Sequence, residues 1–181
     1  MATETLRPNA VGDLAELTPV GAAANWDCVD ETPTNEDTDY VLSSTPGAND
    51  FKDLCNLPAP SILTALHTIL SVTFYIRSRY DAKNGTAQAA PYFKENGVET
   101  SGILRNVTNA YDDYSQVYAT RPSDGGAWTF ADMGALQLSV RHNLVGGGIG
   151  FPSRVHTTQA WCVVTFTVPG TGGRLIMVKF G

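Results

Sequence analysis

Charged side chains are scarce in this sequence: Asp, Glu, Lys and Arg supply 17 % of its 181 residues. Acidic residues outnumber basic ones 18 to 12, for a formal net charge of -6. That is the wrong sign for gripping a phosphate backbone, so no nucleic-acid partner is expected. Cysteine occurs three times, at Cys28, Cys55 and Cys162, far apart and without a Cys-x-x-Cys pair, so neither a disulfide framework nor a zinc site is signalled. Long apolar runs are missing, and the opening Met1–Arg7 stretch has neither the basic start nor the apolar segment of a secretory signal. No membrane association is expected, and the chain reads as one made in a cytoplasm and kept there until assembly. Catalytic signatures are missing too. No Gly-x-Ser-x-Gly elbow occurs, and the glycine run Gly146–Gly150 is not followed by Gly-Lys-Ser or Gly-Lys-Thr, so it reads as a strand connection, not a phosphate loop. A chain this poor in charge exposes neutral surface, which suits contact with partners.

What is there is apolar alternation with a period of two. Hydrophobic residues make up 43 % of the chain, enough for one core, and the whole of 1–181 reads as a single domain. Leu70, Val72, Phe74, Ile76 and Tyr80 alternate with Ser71, Thr73, Tyr75, Arg77 and Arg79, the pattern of a strand with one buried and one wet face. Asn84-Gly85 then reads as a hairpin turn into a strand over Thr86–Lys94, which Pro91 demotes towards a sheet edge. Short strands are expected over Gly102–Val107, Asp113–Thr120 and Ala135–Asn143. Thr129 caps a helical turn near 129–135 that Gly134 cuts short. In the long run Arg154–Val168, Ala160, Cys162, Val164, Phe166 and Val168 share one face, with Val155, Thr157 and Gln159 opposite. Arg174–Phe180 is expected to close a terminal hairpin with it. The first third reads as short strands and long loops, and Met1–Pro8 as an N-terminal arm or edge strand. Eight to ten strands in all predict an all-β, two-sheet antiparallel sandwich of jelly-roll-like form.

Candidates for chemistry are few. Asp30, Glu31, Asp37 and Asp39, with Asp27 and Glu36 beside them, carry oxygens that a hard cation such as calcium takes. Their spacing is not that of an EF-hand, and a solvated acidic loop is the simpler reading. His67, His142 and His156 have no acidic or cysteine neighbour at ligand spacing, and read as hydrogen-bonded strand histidines. Asp112-Asp113, flanked by Tyr111 and Tyr114, is the one carboxylate pair worth testing as a hydrolytic centre. Trp26, Trp128, Trp161, Tyr75, Tyr92, Tyr111, Tyr114 and Tyr118 could build a sugar-stacking platform, but core filling is the simpler assignment; Trp128 in particular reads as a loop anchor.

Three stretches recur together in a recognisable order: Trp26-Asp27-Cys28-Val29-Asp30-Glu31, Asp37-Thr38-Asp39-Tyr40-Val41, and the run from Ala127-Trp128-Thr129 through Ala135-Leu136-Gln137 to Val140. In this the chain resembles the small jelly-roll-like structural proteins of tailed bacteriophages, loosely but over nearly its whole length, departing at Cys28 and at Ser139, where glycine is expected. The resemblance implies a non-enzymatic virion component without a cofactor, assembled in the host cytoplasm. The first expectation is a capsid decoration or cement protein, a homo-oligomer such as a trimer, that binds the major capsid protein or other virion proteins. The alternative is a carbohydrate- or receptor-binding module of a tail fibre or cell surface, with a glycan as its ligand.

Overall fold

The computed structural model describes residues 1–30, 38–43, 50–82, 86–145 and 154–169. Among these residues it places twelve strands: β1 (Ala2–Leu6), β2 (Ala10–Ala15), β3 (Thr18–Val20), β4 (Tyr40–Leu42), β5 (Asp50–Asn56), β6 (Thr68–Ala82), β7 (Thr86–Glu95), β8 (Val98–Ser101), β9 (Arg105–Asn106), β10 (Asp112–Tyr118), β11 (Gln137–Val145) and β12 (Arg154–Thr167). One sheet runs β10-β6-β12-β4-β3, with β1 also on β12; the other runs β2-β5-β11-β7-β8, with β9 also on β7. All pairings are antiparallel. Val72, Phe74 and Ile76 of β6 and Cys162, Val164 and Phe166 of β12 meet Leu138 and Val140 of β11 and Phe93 of β7 in one core. The expected two-sheet sandwich is present. It is jelly-roll-like in that the chain repeatedly passes from one sheet to the other.

That crossing corrects the expected Asn84-Gly85 hairpin. The residues of the turn lie outside those described, but β6 and β7 belong to different sheets, so the connection bridges the sandwich instead of joining neighbours. Nor is β7 an edge, for it lies between β11 and the β8/β9 pair. Pro91 is tolerated there because the Pro91 carbonyl and its ring nitrogen point to the same side. The carbonyl accepts from the amide of Gly102 at 2.8 Å, in the gap between β8 and β9, where no ladder donor is needed.

Two bulges correct the face assignments. In β6, Ile69 pairs with Phe166 and Ser71 with Thr165, which leaves Leu70 as the extra residue, 39 % exposed while Ile69 is buried. In β12, Thr157 pairs with Ser78 and Gln159 with Arg77, so Thr158 is extra and the inward phase changes there. Val155 and Thr157 are therefore buried, as are Ala160 to Phe166 on alternate positions, whereas Val168 lies beyond the strand and is exposed. The second arm of the expected terminal hairpin, Arg174–Phe180, lies outside the described residues. The Gly102–Val107 strand shrinks to Arg105–Asn106.

The N-terminal segment is an edge strand of its own sheet. Glu4 of β1 points inward, and its carboxylate accepts the amides of Ser61, Ile62 and Leu63 at 2.5, 3.1 and 2.7 Å, with the Ser61 hydroxyl at 2.9 Å. Burial opposes the charge, but these donors outweigh it and hold the carboxyl below its ordinary range. The capped turn expected near 129–135 is α1 (Phe130–Gly134): Thr129 Oγ1 accepts from the Asp132 amide at 3.3 Å and Asp132 accepts from the Thr129 amide at 2.7 Å. Trp128 is buried, and its indole N–H donates to the Tyr118 carbonyl at 3.1 Å, so it does anchor that loop.

Candidate functional site

Of the four acidic candidates, Asp30 and Asp39 are described and half-buried, while Glu31 and Asp37 lie outside the described residues. Burial, then the charge of Asp27, raises the Asp30 carboxyl above its usual range, against a weaker pull from Arg7. Among the described residues no three His, Cys, Asp or Glu side chains converge as metal ligands do. Asp112 and Asp113 are also not a catalytic pair. As consecutive strand residues they point to opposite faces, and Asp113 is held by Arg77 at 2.9 Å. The thiols of Cys55 and Cys162 are buried, and burial pushes both up to about 12, which removes them as nucleophiles at neutral pH.

Reading the sequence missed a polar seam inside the sandwich. Ser78 of β6, Thr157 of β12 and His142 of β11 are all fully buried, and they join the two sheets. The Ser78 and Thr157 hydroxyls lie 2.7 Å apart, and Thr157 Oγ1 is 2.8 Å from His142 Nε2. Burial, with the nearby charge of His156, drives His142 down to about 3, so it is neutral. His156 stacks on Tyr40 with ring centres 4.1 Å apart and lies 3.1 Å from Asp81. The combination of hydroxyls and imidazole looks like a nucleophile and base, but with no exposed atom it has no route to a substrate. One signal for His142 was available: it shares the inward phase of β11 with Leu138, Val140 and Leu144.

A second buried group ties the turn between β2 and β3 to Asn25, beyond β3. Asp53 Oδ1 accepts the amides of Glu16 and Leu17 at 2.8 and 3.0 Å, and Oδ2 accepts from Asn25 Nδ2 at 2.6 Å. Burial nonetheless raises its carboxyl above the usual range. Asp53→Ala leaves three donors without this acceptor and is expected to cost about 2 kcal/mol. Urea unfolding measures it, with Asp53→Asn, which keeps one acceptor oxygen, losing less.

The exposed faces of the two sheets differ in chemistry. On the outer face of the β2-β5-β11-β7-β8 sheet, Arg141 and Lys52 both reach Asp50, at 2.7 and 3.4 Å, Lys94 meets Asp13 at 2.5 Å, and the Tyr92 hydroxyl donates to Glu99. This is a solvated ionic lattice. On the other outer face, register brings Thr5, Val163, Thr73 and Val117 into one row, and Trp161, Tyr75 and Ser115 into the next. Tyr75 and Trp161 stack at 4.9 Å and 3°, and the Arg7 guanidinium lies 5.2 Å from the Trp161 ring centre. These two aromatics therefore face outward and are not core, in contrast to Trp128, which is buried in the core; Tyr92 also lies on an outer face, that of the other sheet, covered by Lys52.

The chain matches no protein-family model and no curated protein. The functional reading therefore rests on its own residues. No helix among the described residues is long and apolar enough to cross a membrane.

Proposed function

We propose that this chain is a non-enzymatic structural protein of a tailed-bacteriophage virion, a capsid decoration or cement protein that binds the major capsid protein and stiffens the lattice. The single observation carrying this reading is the contrast between the two outer faces. One is an ionic lattice suited to water. The other presents a block of hydroxyls, valines and one aromatic stack, with charge confined to Arg7 over Trp161 and to the Arg77–Asp113 pair beyond it, the make-up of a contact surface more than of a solvated one. Its mechanism is burial of surface across copies and lattice subunits. The charged groups inside the molecule serve the fold: Glu4 holds the 61–63 loop, Asp53 the turn between β2 and β3, and Asp132 the cap of α1.

The outward Tyr75–Trp161 pair favours a second reading, a glycan-binding module. Sugar stacking needs an open ring face, and here Trp161 spends one face on Tyr75 and the other on Arg7, which ranks this reading second.

Purified chain mixed with capsids stripped of accessory proteins is expected to co-sediment at a fixed ratio to the major capsid protein and to raise the capsid's melting temperature. Failure to bind any particle, together with saturable glycan-array retention that Trp161→Ala abolishes, replaces the cement reading with the glycan one.

A further inference from the structure

We infer that the neutral outer face of the β10-β6-β12-β1 layer is where a second copy of this chain docks, face to face about a two-fold axis. The inference deepens the virion-component reading and rests on it for its biological sense, but its test needs no capsid.

The face is defined by register. Thr3, Thr165 and Ser71 form its first row, Thr5, Val163, Thr73 and Val117 its second, and Trp161, Tyr75 and Ser115 its third. The first two rows hold no acidic or basic residue. The first charges come at the third row, where the Arg7 guanidinium lies 5.2 Å from the Trp161 ring centre, and in the row beyond, where Arg77 is paired with Asp113 at 2.9 Å. Near the opposite end of these strands in the chain, Leu70, Leu66, Val168 and Met1 are 39, 82, 59 and 94 % exposed. Val117 on the edge strand is 57 % exposed.

The occupant follows from charge and symmetry. Two copies of a chain of net charge -6 repel wherever their acidic surfaces meet, and on the first two rows of this face they approach without like charges opposed. A two-fold contact requires a patch complementary to itself. Threonine and serine hydroxyls both donate and accept, and valines need only each other, so the face meets that requirement. A strongly charged partner would find nothing on it to pair with.

Size sets the expected strength. Four strands about 4.8 Å apart span roughly 19 Å, and six to seven residues along them roughly 20–23 Å. The footprint is about 400 Å² per copy before side-chain relief, at the small end of specific contacts. At about 800 Å² in total the contact is of the weak, transient class, and it gains from repetition once several copies sit on one particle.

Sedimentation equilibrium over 1–500 µM tests this, with Val117→Glu and Thr5→Glu placing like charges on the face, and Val98→Glu, at a 46 % exposed position on the other sheet, as control. The expected result is a mass that rises towards twice 19.4 kDa, an association at least tenfold weaker in both face variants, and an unchanged control. Circular dichroism spectra confirm that each variant is folded. A wild-type chain that stays monomeric to 500 µM overturns the inference, as does a trimer, or a dimer weakened by Val98→Glu but not by the face variants. Capsid binding by a strictly monomeric chain would overturn the dimer and leave the virion role standing; a face-dependent dimer that binds no capsid would do the reverse.

Discussion

Phe93→Ala is expected to lower the unfolding free energy by about 4 kcal/mol, the largest effect of any single truncation considered. Phe93 is fully buried and stacks on Phe74 of the opposite sheet with ring centres 4.0 Å apart and planes 12° apart. Tyr118 meets both rings edge-on, and Trp128 meets Phe74 at 6.3 Å. Removing the ring loses its transfer free energy, leaves a cavity between two hydrogen-bonded sheets that cannot close on it, and breaks a cross-sheet aromatic pair. A domain of this size has about 5–15 kcal/mol in total, so the urea midpoint should fall by about a quarter or more. Phe93→Leu fills most of the space and should lose much less. A loss below about 1 kcal/mol for the alanine variant would show that the sheets are not joined through this cluster.

Acidification from pH 7 to pH 5 is expected to cost about 2 kcal/mol through His142 alone. Its folded value of about 3 lies well below the ordinary imidazole value of 6.5. The unfolded chain therefore takes up a proton near pH 6.5 that the folded chain refuses. Stability from this source is complete above pH 6.5 and drains away by about 1.4 kcal/mol per pH unit as pH falls towards 3. His142→Gln, which does not titrate, removes that slope. It keeps a polar group for Thr157, though at some cost in absolute stability. Urea titrations of both proteins at pH 7, 6 and 5 measure the difference. Equal slopes would mean that His142 is already charged or reaches water in the folded state. At acidic pH the seam between the sheets becomes their weakest joint, because a charged imidazole there faces Thr157 and His156 instead of solvent.

The legible and illegible parts of the molecule divide along a physical line. The β-sandwich could be read because alternation is local: Val72, Phe74 and Ile76 announce a buried face within five residues. The Thr129 cap could be read for the same reason, since both partners of its capping box lie within one turn. The sheet membership of β6 and β7 could not, because Asn84-Gly85 is as compatible with a bridge between sheets as with a hairpin inside one. The bulges at Leu70 and Thr158 escaped because an extra residue is defined only against the neighbouring strand. Asp53 and Glu4 carry no local signal either, as their partners are 28 to 59 residues away in sequence.

The same division holds for function. The sequence by itself determined an all-β chain of low charge, net acidic, with no catalytic signature, because composition and period-two patterning are properties of residues taken singly or in short runs. Only the tertiary structure decided that Trp161 and Tyr75 stand outside while Trp128 and Phe93 fill the core. It also decided that His142 is sealed against Thr157, and that one outer face carries the Asp50, Lys52, Arg141, Asp13 and Lys94 ion pairs while the other sets a block of hydroxyls, valines and the Tyr75–Trp161 stack beside Arg7 and the Arg77–Asp113 pair. Each depends on strand register between segments distant in the chain, and register is set by the packing of the whole sandwich, which no short run of residues contains.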